Sequence, residues 1–176
     1  MSKPRILGGQ AKGRSLETPK KGTRPSPSRL REALFNILAF RERGAFLDLY
    51  SGSGAIGLEA ASRGWSATCV DLSKEAAQVI RSNARALKLE AQVLQGDALK
   101  FAREHPRVFA VVFAAPPYPL DLPEIFQAII GAGPAAPGGL YVFQHPSSLQ
   151  VPYGERRVYG SNALTLLVAS GRAEAS

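Results

Sequence analysis

Asp48 stands four residues ahead of Gly52 in the run Phe46-Leu47-Asp48-Leu49-Tyr50-Ser51-Gly52-Ser53-Gly54-Ala55-Ile56-Gly57. Such a run reads as an acid-tipped strand that enters a glycine turn and then a helix. Without a Cβ, glycine lets the backbone come close to a ligand. The spacing Gly52-x-Gly54-x-x-Gly57 satisfies the dinucleotide fingerprint, and Asp71 ends the next apolar run 17 residues beyond Gly54, where a ribose-binding acid belongs. These features specify an adenosine-containing cofactor. Asp48 narrows the choice, because a carboxylate there attracts an ammonium, directly or through water, and repels a pyrophosphate. Methionine carries an ammonium, which favours S-adenosylmethionine over NAD. No Gly-Lys-Ser/Thr follows the turn, so a Walker-type phosphate loop is excluded. The cofactor-binding candidates are Asp48, Ser51, Gly52, Gly54, Asp71, Asp97 and Ala98. Asp97, in Gly96-Asp97-Ala98, has two roles open to it: reading the adenine amino group and capping the helix that follows.

A second constellation ends the apolar run 108–114 with Ala115-Pro116-Pro117-Tyr118. Elsewhere Pro-Pro-Tyr marks a turn or a polyproline ligand. At the carboxyl end of a central strand it becomes a stiff wall, with fixed φ angles aiming carbonyl oxygens into a crevice. Tyr118 then offers a face on which a flipped-out base stacks, worth about 1–3 kcal/mol. Ala115, Pro116, Pro117 and Tyr118 are the catalytic candidates. His145, in Phe143-Gln144-His145-Pro146, reads first as a satisfied structural group and second as a substitute proton acceptor. Cys69 and Trp65 read as core residues.

The elements that position these residues follow from periodicity. Apolar runs at 45–50, 67–71, 91–95, 108–114 and 139–145 alternate with helical patterns at 55–63, 74–87, 98–104 and 122–130. Alternation of this kind gives a parallel, doubly wound sheet with helices on both faces. Two further runs, 151–159 and 163–169, flank Gly160-Ser161-Asn162, which is hairpin chemistry. The expected architecture is an α/β, Rossmann-like, seven-stranded and mostly parallel sheet closed by a C-terminal antiparallel hairpin. A helix over 28–40, capped by Ser26 or Ser28, leads into it.

The net charge of +8 is localised: residues 1–31 hold nine Lys/Arg and one acid, while residues 32–176 hold 13 of each sign. A near-neutral body with a cationic segment suits a polyanion, because counterion release drives binding to phosphates. Residues 1–27 are therefore expected to form a basic RNA-binding arm and residues 28–176 a single domain. Arg5, Lys12, Arg14, Arg24, Arg29 and Arg31 are the RNA-binding candidates, and removal of residues 1–24 is expected to spare cofactor affinity. With no long apolar run and one cysteine, the expectation is a cytoplasmic chain with no metal and no membrane partner.

Five stretches together resemble the small-subunit ribosomal RNA guanine-N2 methyltransferase family over almost the whole chain. They are Arg5-Ile6-Leu7-Gly8-Gly9 with Lys12-Gly13-Arg14, the run 23–36 beginning Thr23-Arg24-Pro25-Ser26-Pro27, the run 47–64, Gly96-Asp97-Ala98, and Pro116-Pro117-Tyr118. The resemblance implies the class I methyltransferase fold, S-adenosylmethionine as donor, and a guanine amine of 16S ribosomal RNA or the small ribosomal subunit as acceptor. One position departs from it. The family's motif begins with Asp, or Asn in relatives, and this chain has Ala115. The resemblance implies that this side chain accepts a hydrogen from the target amine, and losing one such group costs roughly 10² to 10³ in rate. Two alternatives accompany the enzyme reading: a cofactor- and RNA-binding assembly factor weakened by Ala115, and an NAD-dependent oxidoreductase.

Overall fold

The computed structural model describes residues 3–20 and 26–171. After α1 (Ser28–Ile37), strands and helices alternate: β1 (Ala45–Leu49), α2 (Ala55–Ser62), β2 (Ser66–Asp71), α3 (Lys74–Leu87), β3 (Ala91–Gln95), α4 (Ala98–Glu104), β4 (Phe109–Ala114), α5 (Leu122–Ala132) and β5 (Ala135–Pro146). An antiparallel hairpin, β6 (Glu155–Tyr159) and β7 (Asn162–Val168), closes the chain. The sheet has seven strands in the order β3-β2-β1-β4-β5-β7-β6. The strands from β3 through β5 pair in parallel, and β7 lies antiparallel between β5 and β6.

Strand alternation sorts the core onto the two faces. Phe46, Val111, Phe113 and Val142 point toward Leu30, Leu34 and Phe35 of α1, whereas Leu47, Leu49, Val112 and Phe143 point toward Leu122, Phe126 and Ile129 of α5. Trp65 is core, packed edge-on against Phe46. Cys69 is fully buried, and burial pushes its thiol well above the ordinary range. Among the described residues no helix is long and apolar enough to cross a membrane.

Several boundaries differ from the sequence expectation. The first helix stops at Ile37, and neither serine caps it; Pro27 occupies the N-cap and the Ser26 hydroxyl bonds elsewhere. β5 begins at Ala135, four residues earlier than the apolar run, through a stretch containing Pro137, Gly138 and Gly139. β6 begins only at Glu155, because Val151 and Tyr153 pack on the α5-side cluster. The hairpin loop is the pair Gly160-Ser161, and Asn162 belongs to β7.

The largest difference concerns the N-terminal segment. Residues 3–20 are folded onto α2 and α3 and do not extend away from them as an arm. Arg5 and Ser15 form an antiparallel bridge, and the Ile6 N–H donates to the Arg14 carbonyl at 2.9 Å. Ile6, Ala11 and Leu16 are buried with Leu58, Ala77 and Ile80. The Asn83 side chain pairs with Glu17 as a strand neighbour would, accepting from its N–H at 3.0 Å and donating to its carbonyl at 2.9 Å. Gly9 passes so close to α2, at φ 75°, that a Cβ there would lie 1.9 Å from the Ser62 carbonyl oxygen.

Candidate active site

The carboxyl edge of the parallel strands gathers most of the expected residues. β1 leads through Tyr50 (φ 60°), Gly52 (φ 58°) and Gly54 (φ 78°) into α2, a turn that needs left-handed backbone at each of these points. A side chain at Gly54 would strike Ile80, and one at Gly57 would meet the Cys69 Sγ at 2.3 Å, so α2 lies directly on the sheet. Asp71, at the tip of the neighbouring β2, braces the turn: its Oδ2 accepts the Gly52 N–H at 2.8 Å and its Oδ1 the Ser73 N–H at 2.9 Å. The Ser51 hydroxyl donates to the Asp48 carbonyl at 2.6 Å.

Asp48 itself is 1% exposed, and its Oδ2 accepts the Gly57 N–H at 3.0 Å. It underlies the turn and does not face an open cleft, which argues against direct contact with a ligand. Burial, reinforced by the Asp71 charge and offset in part by the Gly57 N–H and the Ser51 hydroxyl, raises its pKa to about 7. Asp97 caps α4 by accepting the Lys100 N–H at 2.9 Å, and Ala98 is buried behind it. The half-buried Tyr50 phenol lies near enough to Asp97 that this charge, after burial, raises its pKa.

Ala115-Pro116-Pro117-Tyr118 leaves β4 at the same edge, beside β1. Pro116 is buried, Pro117 is exposed, and Tyr118 is 39% exposed. The Tyr118 hydroxyl donates to Asn162 Oδ1 and accepts from Gln144 Nε2 at 3.3 Å. His145 is buried and fully engaged. Its Nδ1 lies 2.8 Å from the Pro146 carbonyl, which can only accept, so Nε2 accepts from the Thr165 hydroxyl at 2.7 Å. Burial, aided by the Arg156 charge and opposed by the Pro146 carbonyl, lowers its pKa, which favours the neutral imidazole.

Arg5, Lys12, Arg14 and Arg29 are exposed, while Arg24 lies outside the described residues. Arg31 overturns its expected role as a phosphate ligand. It is 1% exposed and bonds Glu59 Oε1 at 3.2 Å and the Arg5 carbonyl at 2.6 Å. Glu59 also accepts the N–H groups of Leu7 and Gly8 and the Arg63 guanidinium. The buried pair thus fastens α1 and the N-terminal segment to α2, and nothing in the basic run 20–31 of the sequence distinguishes this arginine from the other basic residues.

Leu72, 72% exposed directly after Asp71, is an exposed apolar side chain beside the turn that the sequence reading passes over; its place after the acidic strand tip is the available signal. Gln144 and Asn162 escape that reading because one sits inside an apolar run and the other inside a loop motif. A hollow of about 290 Å³ bounded by Arg41, Gly44, Trp65, Ala110 and Gly139 lies at the opposite, amino edge of the strands, remote from these residues.

Residues 4–163 match the model of the family described as Conserved hypothetical protein 95. The chain is 39% identical over 118 residues to ribosomal RNA small subunit methyltransferase D of Escherichia coli K12, an alignment covering 65% of this chain and 60% of that protein. It therefore spans less than two thirds of that curated relative. A solved structure from Thermus thermophilus, described as a hypothetical protein, superposes with a TM-score of 0.88 at 48% identity, covering 94% of this chain and 99% of that one. The T. thermophilus 16S rRNA N2 G1207 methyltransferase, solved with S-adenosylmethionine and guanosine, shares the fold at a TM-score of 0.72 and 22% identity, over 95% of this chain and 49% of that one. With glycine turn, strand order and terminal hairpin all as a class I methyltransferase fold requires, the chain belongs to the Conserved hypothetical protein 95 family.

Proposed function

We propose that this chain methylates the exocyclic N2 of a guanine in small-subunit ribosomal RNA, using S-adenosylmethionine. The observation that carries this reading is adjacency. The turn braced by Asp71 and the Pro116-Pro117-Tyr118 wall leave neighbouring strands β1 and β4 at one edge of the sheet. The activity named for the E. coli relative and the ligands of the T. thermophilus enzyme point the same way.

The residues present fit the donor. Gly52 and Gly54 give the turn its left-handed backbone, Asp71 retains lone pairs beyond its two N–H bonds for ribose hydroxyls, and Leu72 offers an apolar face beside it. Asp97 and Ala98 border the same edge from β3. Asp48 acts on a bound ammonium at a distance, through the field of its ionised form. S-adenosylmethionine supplies a methyl on a sulfonium that departs as a neutral thioether when an amine attacks in line.

On the acceptor side, Tyr118 presents its ring to the base while Pro116 and Pro117 stiffen the segment beneath it. Ala115 contributes no side-chain acceptor, so holding the amine in line carries the catalysis here; a backbone carbonyl can accept a hydrogen bond from the amine, and its proton leaves to water once the methyl has been transferred. The exposed Arg5, Lys12, Arg14 and Arg29 hold phosphates; the RNA or subunit is the partner, in the cytoplasm. Incubation with under-modified small subunits, followed by nucleoside mass spectrometry, should reveal N2-methylguanosine. Incorporation no greater than that of a Gly52→Arg control would overturn the enzyme reading, and calorimetric preference for NAD over S-adenosylhomocysteine would overturn the cofactor.

A further inference from the structure

We infer that Gln144 and Asn162 are positioning residues that fix the ring of Tyr118 by engaging its hydroxyl from two sides. This rests on the reading of Tyr118 as the base platform. Four side chains form one directed chain of hydrogen bonds. The Ser26 hydroxyl donates to Gln144 Oε1 at 3.1 Å, Gln144 Nε2 donates to the Tyr118 hydroxyl at 3.3 Å, and that hydroxyl donates to Asn162 Oδ1. The polarity is self-consistent: once Oε1 accepts from Ser26, the Gln144 amide has its N–H₂ facing Tyr118, and the phenol's single proton is left for Asn162.

The anchors are of unequal stiffness, and that gives the arrangement its use. Gln144 is 7% exposed, in the middle of the paired strand β5, next to the locked His145. Asn162 opens β7, directly after the two-residue turn of the hairpin, opposite Pro146. Tyr118 lies in the loop after β4 with 39% of its surface exposed. A ring on a loop otherwise loses rotamer freedom when a base stacks on it. Holding the hydroxyl from a central strand and from the hairpin removes that freedom beforehand. The hairpin thereby has a part in acceptor recognition, and Ser26 joins the segment before α1 to the same chain. With one proton donated and a lone pair occupied, the phenol is committed to holding the ring; the ring face is what meets the base.

The test is a double-mutant cycle on the full-length protein. Gln144→Leu and Asn162→Ala should each raise the KM for under-modified small subunits about 3- to 10-fold, the effect of one lost hydrogen bond. S-adenosylhomocysteine affinity should not change. Each should also shift the ring resonance of Tyr118 in protein labelled with 13C-tyrosine, a readout independent of turnover. In a Tyr118→Phe background neither substitution should alter KM further, because the shared partner is already gone. Effects that persist undiminished in that background, or an unmoved Tyr118 resonance, would overturn the inference. An unchanged KM in Tyr118→Ala would instead remove the platform reading beneath it.

Discussion

Helix α2 carries one buried carboxylate and covers another, and the fold treats the two in opposite ways. Glu59, within the helix and fully buried, receives two backbone N–H groups and two guanidinium groups. Asp48, beneath the helix's first turn, receives the Gly57 N–H with the Ser51 hydroxyl nearby, and its pKa climbs to about 7. The saturated carboxylate holds pieces of chain together. The under-paired one, beside the glycine turn, is left able to gain from a cation that arrives later, which is the arrangement expected where a ligand binds.

Breaking the saturated site should have the largest effect. Glu59→Gln leaves the Arg31 charge buried without its counter-charge, and urea unfolding should show a loss of about 3–5 kcal/mol; a loss below about 1 kcal/mol would erase the contrast. Next, Leu16→Ala should cost about 2–5 kcal/mol, since Leu16 is fully buried in the N-terminal segment. The same packing means that removing residues 1–24 strips a side of the core and will not spare cofactor affinity.

The under-paired site should respond with the opposite sign. A folded pKa raised to about 7 from 3.8 makes the associated stability complete below about pH 4 and lost as the pH rises through 7. Asp48→Asn, which keeps an acceptor for Gly57, should therefore match the parent near pH 4 and exceed it by about 2–4 kcal/mol at pH 8. Its affinity for S-adenosylhomocysteine should fall at the same pH. Parallel stability curves from pH 4 to 8 would show that Asp48 does not titrate there. The smallest effect sharpens the contrast with a surface charge: Lys12→Ala should leave stability within about 0.5 kcal/mol and lower the salt slope of RNA binding by about one.

The doubly wound frame, the glycine turn and the hairpin are legible because each is written in local periodicity or in glycine spacing. β5 reads short because Pro137, Gly138 and Gly139 look like a loop, although Ala135 before them and Leu140 after them both pair with β4 across a shift in register. Arg31 misleads because its partner lies 28 residues away and no local pattern marks a guanidinium that turns inward. Ile6, Ala11 and Leu16 are too sparse to announce a packed face, so charge alone dominates the reading of that segment. The two anchors of Tyr118 come from separate strands, and they reach its hydroxyl together only once β7 has inserted beside β5.

The pairing of Glu17 with Asn83, 66 residues apart, has a consequence for biosynthesis. The segment holding Glu17 lacks half of its docking surface until α3 has also been made. At ordinary elongation rates that delay is on the order of 3–13 seconds. During it Ile6 and Leu16 stay wetted beside a cationic stretch, so this segment is secured only when a helix far along the chain has formed.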